Sequence, residues 1–503
     1  MVFPIVGGNQ STGYDISNSL RFNEDDKHYL ERTFDSGGSR RTFTVSAWVK
    51  RSELGATNPV WGAAPSNGGQ CSLQFNSNDQ LVLREYNVTD TEVMNLVTTA
   101  KFRDSAAWYH MVAAVDTTQS TASNRAKLYV NGTLQSLGTA TYPNQNYDLL
   151  MNSTTNTGKF FVGTETYSSV NVVFDGYMSE FYFVNNQQYD HTYFGKFDDN
   201  GVWIPVKPGT GAGGSITYGT NGFLLEFKQT GTGQNSSGIG ADTSGEDHHF
   251  AINNNSAAFA ATDITTDTPT NNFNTLNPLV PHHSIFDKET QGNTGLSSSG
   301  VQLRGGYMGS TIMPTSGKWY FEVNILSISN STDRTGIAIP RFDSVTGTTH
   351  IEGGDYAGFT VSTGATGRVF VTEGSSTTET DNSEYVFNGA SVAIFAVDMD
   401  ASTPRVYVGK NGTWFTTSAG SGGNPATNTG YFEANLSTGG SGFSIGARHS
   451  AGSSASQSYL YNFGQPAYTI SSGNSDANGY GNFEYAVPSG YYAICTKNLA
   501  EFG

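Results

Sequence analysis

Charged side chains are scarce in this 503-residue chain. Only 14% of its residues are Asp, Glu, Lys or Arg, against roughly 25% in an average soluble protein. Cysteine is scarcer still, with Cys71 and Cys495 alone. Two residues so far apart exclude a disulfide-stapled scaffold, and two free, mostly buried thiols are expected. No Cys-x-x-Cys occurs. No apolar run approaches the ~18 residues of a membrane helix, so no membrane insertion is expected. The opening, MVFPIVGGNQSTGY, lacks a basic n-region and an apolar h-region. It reads as no signal peptide and as synthesis in a cytoplasm. Helical periodicity beyond a turn or two is also missing. So are a G-x-S-x-G elbow and a phosphate-binding Gly loop before a helix. Nothing assembles a nucleophile with a base, and the chain is not expected to be an enzyme.

Aromatic residues and glycine are abundant instead: 26 Tyr, 31 Phe and 60 Gly. Aromatic and β-branched residues suit a pleated surface, and Gly, Asn, Asp and Ser supply tight turns. A disordered chain would lack the former. The net charge of −17 repels phosphate backbones, which excludes nucleic acid as a partner. Solubility is the plainest use of such a surface.

Period-two segments run through the sequence. In TFTVSAWVK (42–50), Phe43, Val45, Ala47 and Val49 share one face. WYHMVAAV (108–115) is apolar on both faces, as a central strand is. AKLYVNGTLQ (126–135) and PRVYVGKNGTWF (404–415) are hairpins turning at Asn131-Gly132 and Asn411-Gly412. KWYFEVNIL (318–326) alternates Trp319, Phe321, Val323 and Ile325 with polar residues. YYAICTKNL (491–499) is expected as a further strand. The expected fold is all-β: two jelly-roll-like antiparallel β-sandwiches joined by an extended, partly docked connector. The boundaries fall at 1–205, 206–300 and 301–503. The connector is Gly/Asn/Thr-rich with at least one strand, YGTNGFLLEF (218–227). Phe250, Phe259, Phe273 and Leu276 argue for docking, and a disordered linker is the alternative.

The first block resembles the laminin-G-like, concanavalin-A-like lectin domain. The resemblance rests on SNSLRFNEDDKHYLERTF (17–34), TFTVSAWVKRS (42–52), WYHMVAAVDTTQSTASNRAKLYVNGTLQ (108–135) and FDGYMSEFYFVNNQ (174–187). The last of these carries a late Gly-Tyr-x-x-Glu strand. The second block resembles a SPRY domain through GKWYFEVNI (317–325), DYAGF (355–359), SVAIFAVDMDASTPRVYVGKNGTWF (391–415) and YLYNFGQPAY (459–468). Together with TPTNNFNTLNP (268–278) and AICTKNL (493–499), the order is similar to structural proteins of tailed phages. That resemblance implies a virion protein: a tail fibre or other tail appendage contacting the host surface through a glycan or receptor. A capsid-surface decoration (knob) protein and a polysaccharide hydrolase are the alternatives. The implied partners are other virion proteins and further copies of the chain in a homo-oligomer.

Sugars are held by aromatic faces with a few amides and carboxylates, mostly on loops. The candidates are Trp61 and Asn67 in 54–70, Tyr86 in 84–92, Asp355 and Tyr356 around 343–356, and Asn411 and Trp414 in 411–416. Each alone reads as packing before it reads as contact. Asp25 and Asp26 are calcium candidates by the laminin-G resemblance, but two adjacent aspartates do not fill calcium's six to eight oxygen positions. No other cofactor is expected. Glu379, Asp381 and Glu384 have the E-x-D-x-x-E spacing of some glucanases, but polar neighbours make a loop the expected reading. Asp398 and Asp400 read as a hairpin shoulder. The pairs His248-His249 and His282-His283 point apart on an extended chain and suit no shared ion. His110, within a strand, reads as a satisfied core histidine.

Overall fold

The computed structural model describes residues 14–35, 37–165, 172–254, 257–279, 288–301, 304–328, 333–335, 356–363, 368–374, 376–381, 386–387, 389–417, 421–433, 443–450 and 455–503. The chain is nearly all-β, with two short helices among the described residues. It divides into two compact units, Gln10–Thr270 and a second that takes in Asn271–Gly503.

The first unit is a two-sheet sandwich. One sheet holds β1 (Ser19–Phe22), β3 (Thr42–Arg51), β8 (Trp108–Asp116), β9 (Ala126–Val130), β10 (Thr133–Leu134), β13 (Gly176–Asn185), β16 (Phe223–Leu225) and β18 (Ile264–Thr265). Its order is β10-β9-β8-β3-β13-β1-β18, with β16 also on β13. The facing sheet holds β2 (His28–Thr33), β4 (Asn58–Ala64), β5 (Gln70–Phe75), β6 (Gln80–Tyr86), β7 (Glu92–Lys101), β11 (Leu137–Thr141), β12 (Lys159–Val162) and β17 (Ala251–Asn254). Its order is β11-β7-β6-β5-β4-β12-β2-β17.

Alternation explains the core. Phe43, Val45, Ala47 and Val49 of β3 all enter the cluster between the sheets. Trp48 takes the opposite face, where it packs with Trp108, Tyr177 and Trp203. Burying each of Phe43, Val45 and Val49 contributes about 1.5–3 kcal/mol. The outer face is covered because the hairpin β14 (Gly195–Phe197) and β15 (Trp203–Pro205) brings Trp203 onto it. The β9–β10 turn has Asn131 at φ 47° and Gly132 at φ 74°, the left-handed pair that a two-residue hairpin requires. A Cβ on Gly132 would lie 2.3 Å from the Trp203 ring, so turn and packing both require glycine.

Two expectations are corrected here. Residues 206–270 are not a connector. β16 pairs with β13, β17 with β2 and β18 with β1, and Phe250 and Phe259 are core residues of the first unit. Phe273 and Leu276 belong to the cores of the second unit. The segment reads as a linker because its strands are two to four residues long, too short to show a period. The second correction is the last strand. Only β33 (Tyr492–Ala493) is extended, and the helix Thr496–Phe502 follows.

In the second unit, one sheet orders β19 (Lys288–Thr290), β20 (Gly295–Val301), β32 (Ala455–Asn462), β22 (Lys318–Ile328), β27 (Ser391–Asp398), β28 (Arg405–Lys410) and β29 (Thr413–Trp414). β30 (Phe432–Glu433) joins β28, and β33 joins β22 in parallel. A two-stranded sheet pairs β21 (Arg304–Met313) with β31 (Phe443–Ser450). A four-stranded sheet orders β23 (Asp333–Thr335), β24 (Tyr356–Thr363), β25 (Arg368–Gly374) and β26 (Ser376–Asp381). Trp319, Phe321, Val323 and Ile325 form the core face of β22. Cys71 and Cys495 are both free and buried, one in each unit.

Candidate functional site

β13, GYMSEFYFVN, is apolar except for a few positions, and one of these is an acid, Glu180. Ser179 pairs with Trp48 and Tyr182 with Ser46, so one extra residue is inserted on the β13 side. This bulge lets Met178 and Phe181 both reach the inner core, which strict alternation would forbid. Glu180 takes up the difference with φ 48°. A left-handed backbone at a residue with a Cβ costs about 1–2 kcal/mol.

Glu180 is 4% exposed and lines a cavity of about 290 Å³ on the first unit. Tyr14, Tyr218, Leu224, Glu226 and Lys228 share the lining. Tyr14 Oη donates to Glu180 Oε1 at 2.8 Å, and Tyr182 Oη to Oε2 at 2.6 Å. Burial pushes the carboxyl up to about 7. The Tyr182 and Tyr14 hydroxyls and Lys228 oppose the rise, and Glu226 adds to it. Burial and the same carboxylate push Tyr14, Tyr182 and Tyr218 above their ordinary range. Lys228 Nζ lies 2.5 Å from Glu226 Oε1. The cavity therefore offers two phenol rings, a titrating carboxyl and an ion pair around a space at the small end of ligand pockets.

A second cleft of about 350 Å³ is lined by Glu31, Arg32, Asp35, Lys159, Asp247 and His249, among others. Its two cations are already matched, Lys159 to Glu31 at 2.8 Å and Arg32 to Asp35, and His249 Nε2 lies 3.7 Å from Asp247 Oδ1. It offers a ligand less than the Glu180 cavity does.

The residues singled out in the sequence do not converge. Trp61 is not on a loop: it lies in β4, fully buried in the core, because the Asn58–Ala64 segment is a strand between β5 and β12. Asn67 is exposed in the turn before β5. Tyr86 ends β6, half-buried, and donates to Glu92 Oε2 at 3.1 Å under the Arg84 guanidinium. Asn411 Oδ1 accepts from Val392 N at 2.8 Å, and Trp414 packs edge-on to Tyr320. Both serve their hairpin. Tyr356 begins β24, and its side chain, like the whole of Asp355, lies outside the described residues.

Asp25 is exposed, and Asp26 Oδ2 accepts from Asn23 Nδ2 at 2.5 Å. Among the described residues no three His, Cys, Asp or Glu side chains gather for a metal. Glu379 and Asp381 stand on β26 rather than on a loop, and Glu384 lies outside the described residues. Asp398 accepts from Lys318 Nζ at 2.9 Å, and Asp400 from Gly317 N at 2.8 Å. His249 Nδ1 accepts from Asp242 N at 3.0 Å. His248 Nδ1 meets Gly222 O at 2.7 Å, and His282 and His283 lie outside the described residues.

His110 is a satisfied core residue. Trp203 Nε1 donates to its Nδ1 at 3.1 Å, which leaves the ring proton on Nε2 facing Ser46 Oγ at 2.9 Å. Burial pushes it down to about 3. Glu322 of the second unit is likewise structural. It accepts from Tyr320, Asn462 and Tyr468 side chains and from the Glu484 and Tyr485 amides.

Residues 18–188 match the family model of the concanavalin A-like lectin/glucanases superfamily. The match supports a laminin-G-like, concanavalin A-like domain in this stretch of the first unit. No curated protein matches the chain. Among solved structures, the chain is similar to domains LG4-5 of the mouse laminin α1 chain, at 9% identity over 96% of this chain and 99% of that one, with a TM-score of 0.30. A putative carbohydrate binding protein from Bacteroides ovatus is 17% identical over 49% of this chain and 62% of that one, with a TM-score of 0.31. The SPRY domain of human HERC1 is 14% identical over 33% of this chain and 87% of that one, with a TM-score of 0.23.

Proposed function

We propose that this chain is a carbohydrate-binding protein of a bacteriophage surface, a tail fibre or other tail appendage that holds host glycans in the Glu180 cavity. The observation that carries the binding reading is a cavity lined by Tyr14, Tyr218, Glu180 and Glu226 on a unit whose residues 18–188 match a lectin and glucanase model. Phenol rings offer apolar faces for a sugar ring, and the carboxylates accept from its hydroxyls. The phage assignment rests on the sequence resemblance of the two-domain order. Copies of the chain on one particle would turn weak single contacts into avidity.

Glycan hydrolysis is the second reading, because two carboxylates line one cavity. Both Glu180 oxygens already accept from phenols, which favours holding over proton delivery. A glycan array with the full chain tests the binding reading. Specific binding without product release is expected, and a blank array refutes it. Release of shortened glycan that Glu180→Gln abolishes makes the chain a hydrolase. Electron microscopy of intact particles tests the location. Density on the capsid shell replaces the tail appendage by a decoration protein.

A further inference from the structure

We propose that the Glu180 cavity selects an ammonium-bearing sugar, with the cation seated against the Glu180 carboxylate and the Tyr14 and Tyr218 rings. This rests on the carbohydrate reading above and names its ligand class.

Several buried acids of the first unit are matched by cations. Asp267 pairs with Lys50 at 2.8 Å, Asp79 with Arg51 at 3.1 Å and Asp263 with Arg21 at 3.2 Å. Glu180 is different: among the described residues it has phenol donors and no cationic partner. Among the described residues Glu85 and Asp242 have no ion pair either, but Glu85 faces packed core beside Leu150, and Asp242 is taken up by the Leu224, Ser244 and His248 amides. Glu180 lines a space. A buried carboxylate without a counter-ion is unfavourable, and here the backbone that presents it is left-handed as well. Strain and an unmatched acid at the wall of a cavity are the arrangement that a cationic ligand relieves.

The charged and titratable groups around Glu180 agree. From the N-terminal segment come Tyr14 and Asp15, and from β13 Tyr182. From the segments before and after β16 come Lys207, Tyr218, Glu226 and Lys228. Lys228 is held by Glu226 and acts on Glu180 only through its field, and among the described residues neither lysine forms an ion pair with Glu180. Phenol rings present negative faces that attract an ammonium group. Neutral sugars would leave the carboxyl protonated near neutrality. An ammonium ligand draws it into the ionised form, and the displaced proton passes to the buffer.

Calorimetry of the full chain at pH 6 with D-glucosamine, N-acetyl-D-glucosamine and D-glucose tests this. Glucosamine is expected to bind at least tenfold more tightly than the other two. Its heat should vary between buffers of different ionisation enthalpy, because protons are released. Its affinity should fall about tenfold from pH 6 to pH 5, since the carboxyl must ionise before pairing. Glu180→Gln should erase the preference, and the proton release needs no variant if that protein fails to fold. Equal binding of all three sugars without proton release overturns the inference and leaves the carbohydrate reading standing. Glucosamine preference that survives in folded Glu180→Gln overturns it too. No binding of any sugar, here or on the array, overturns both.

Discussion

Replacing Glu85 by Gln is expected to stabilise the first unit at neutral and alkaline pH and to change little at pH 4. Glu85 is fully buried, opposite Cys71 in the β5–β6 ladder. Burial pushes its carboxyl from 4.5 up to about 8, against the opposing Leu150 N–H. Between those two values the unfolded chain has released the proton and the folded chain still holds it. Stability therefore falls as pH rises, by about 1.4 kcal/mol per unit. The loss reaches about 3 kcal/mol at pH 7 and about 5 kcal/mol above pH 8. Gln carries no such charge, and its carbonyl can still accept from Leu150 N, which lies 2.9 Å from Glu85 Oε2.

The two buried thiols make the assay specific to each unit. Urea titration with pulsed thiol labelling, read by peptide mass, follows Cys71 for the first unit and Cys495 for the second. With a slope of about 3 kcal/mol per molar urea, the Cys71 midpoint should rise by about 1 M at pH 7, while the Cys495 midpoint stays put. An unchanged or lowered Cys71 midpoint at pH 8 would refute the reasoning.

Other buried groups give further expectations. The His110 ring should show the Nε2–H tautomer by nitrogen NMR and no titration down to pH 4, since its folded value is near 3. Asp267→Ala removes the carboxylate paired with the fully buried Lys50 ammonium and should cost about 3–5 kcal/mol in the Cys71 transition. A loss under 1 kcal/mol would show that the pair contributes little. Glu322→Ala leaves five donors of the second unit without their acceptor. It should lower the Cys495 transition by at least about 3 kcal/mol and spare that of Cys71. Trp61→Ala should destabilise by about 3–5 kcal/mol with no change in the glycans retained on an array.

Strands with a full period were legible. TFTVSAWVK and KWYFEVNIL put their alternating residues where the sequence implies, and both Asn-Gly turns carry left-handed backbones. Local pattern failed where closure is non-local. The two- and three-residue strands β16 and β18 have no period, and only their partners β13 and β1 make them strands. The terminal helix offers only Leu499 and Phe502 as apolar contacts, too few to announce itself. The site was hidden for the same reason: Tyr14, Glu180 and Tyr218 are joined by the fold, not by spacing. One signal was available, a lone glutamate in a strand buried along its whole length, within the Gly-Tyr-x-x-Glu pattern. Trp61 misled because Pro59 and Gly62 beside it suggest a loop.

Each unit is fastened by its own beginning and end. Ile16 N donates to Thr270 Oγ1 across 254 residues, and Asn272 N to Thr496 Oγ1 across 224. During synthesis, β1 must therefore wait for β13, in the second half of the first unit, before it has any partner, and for β18, near that unit's end, before both its edges are covered. Nascent chains will spend that interval with open sheet edges exposed, so a stalled or clipped product should aggregate rather than survive as a partial fold.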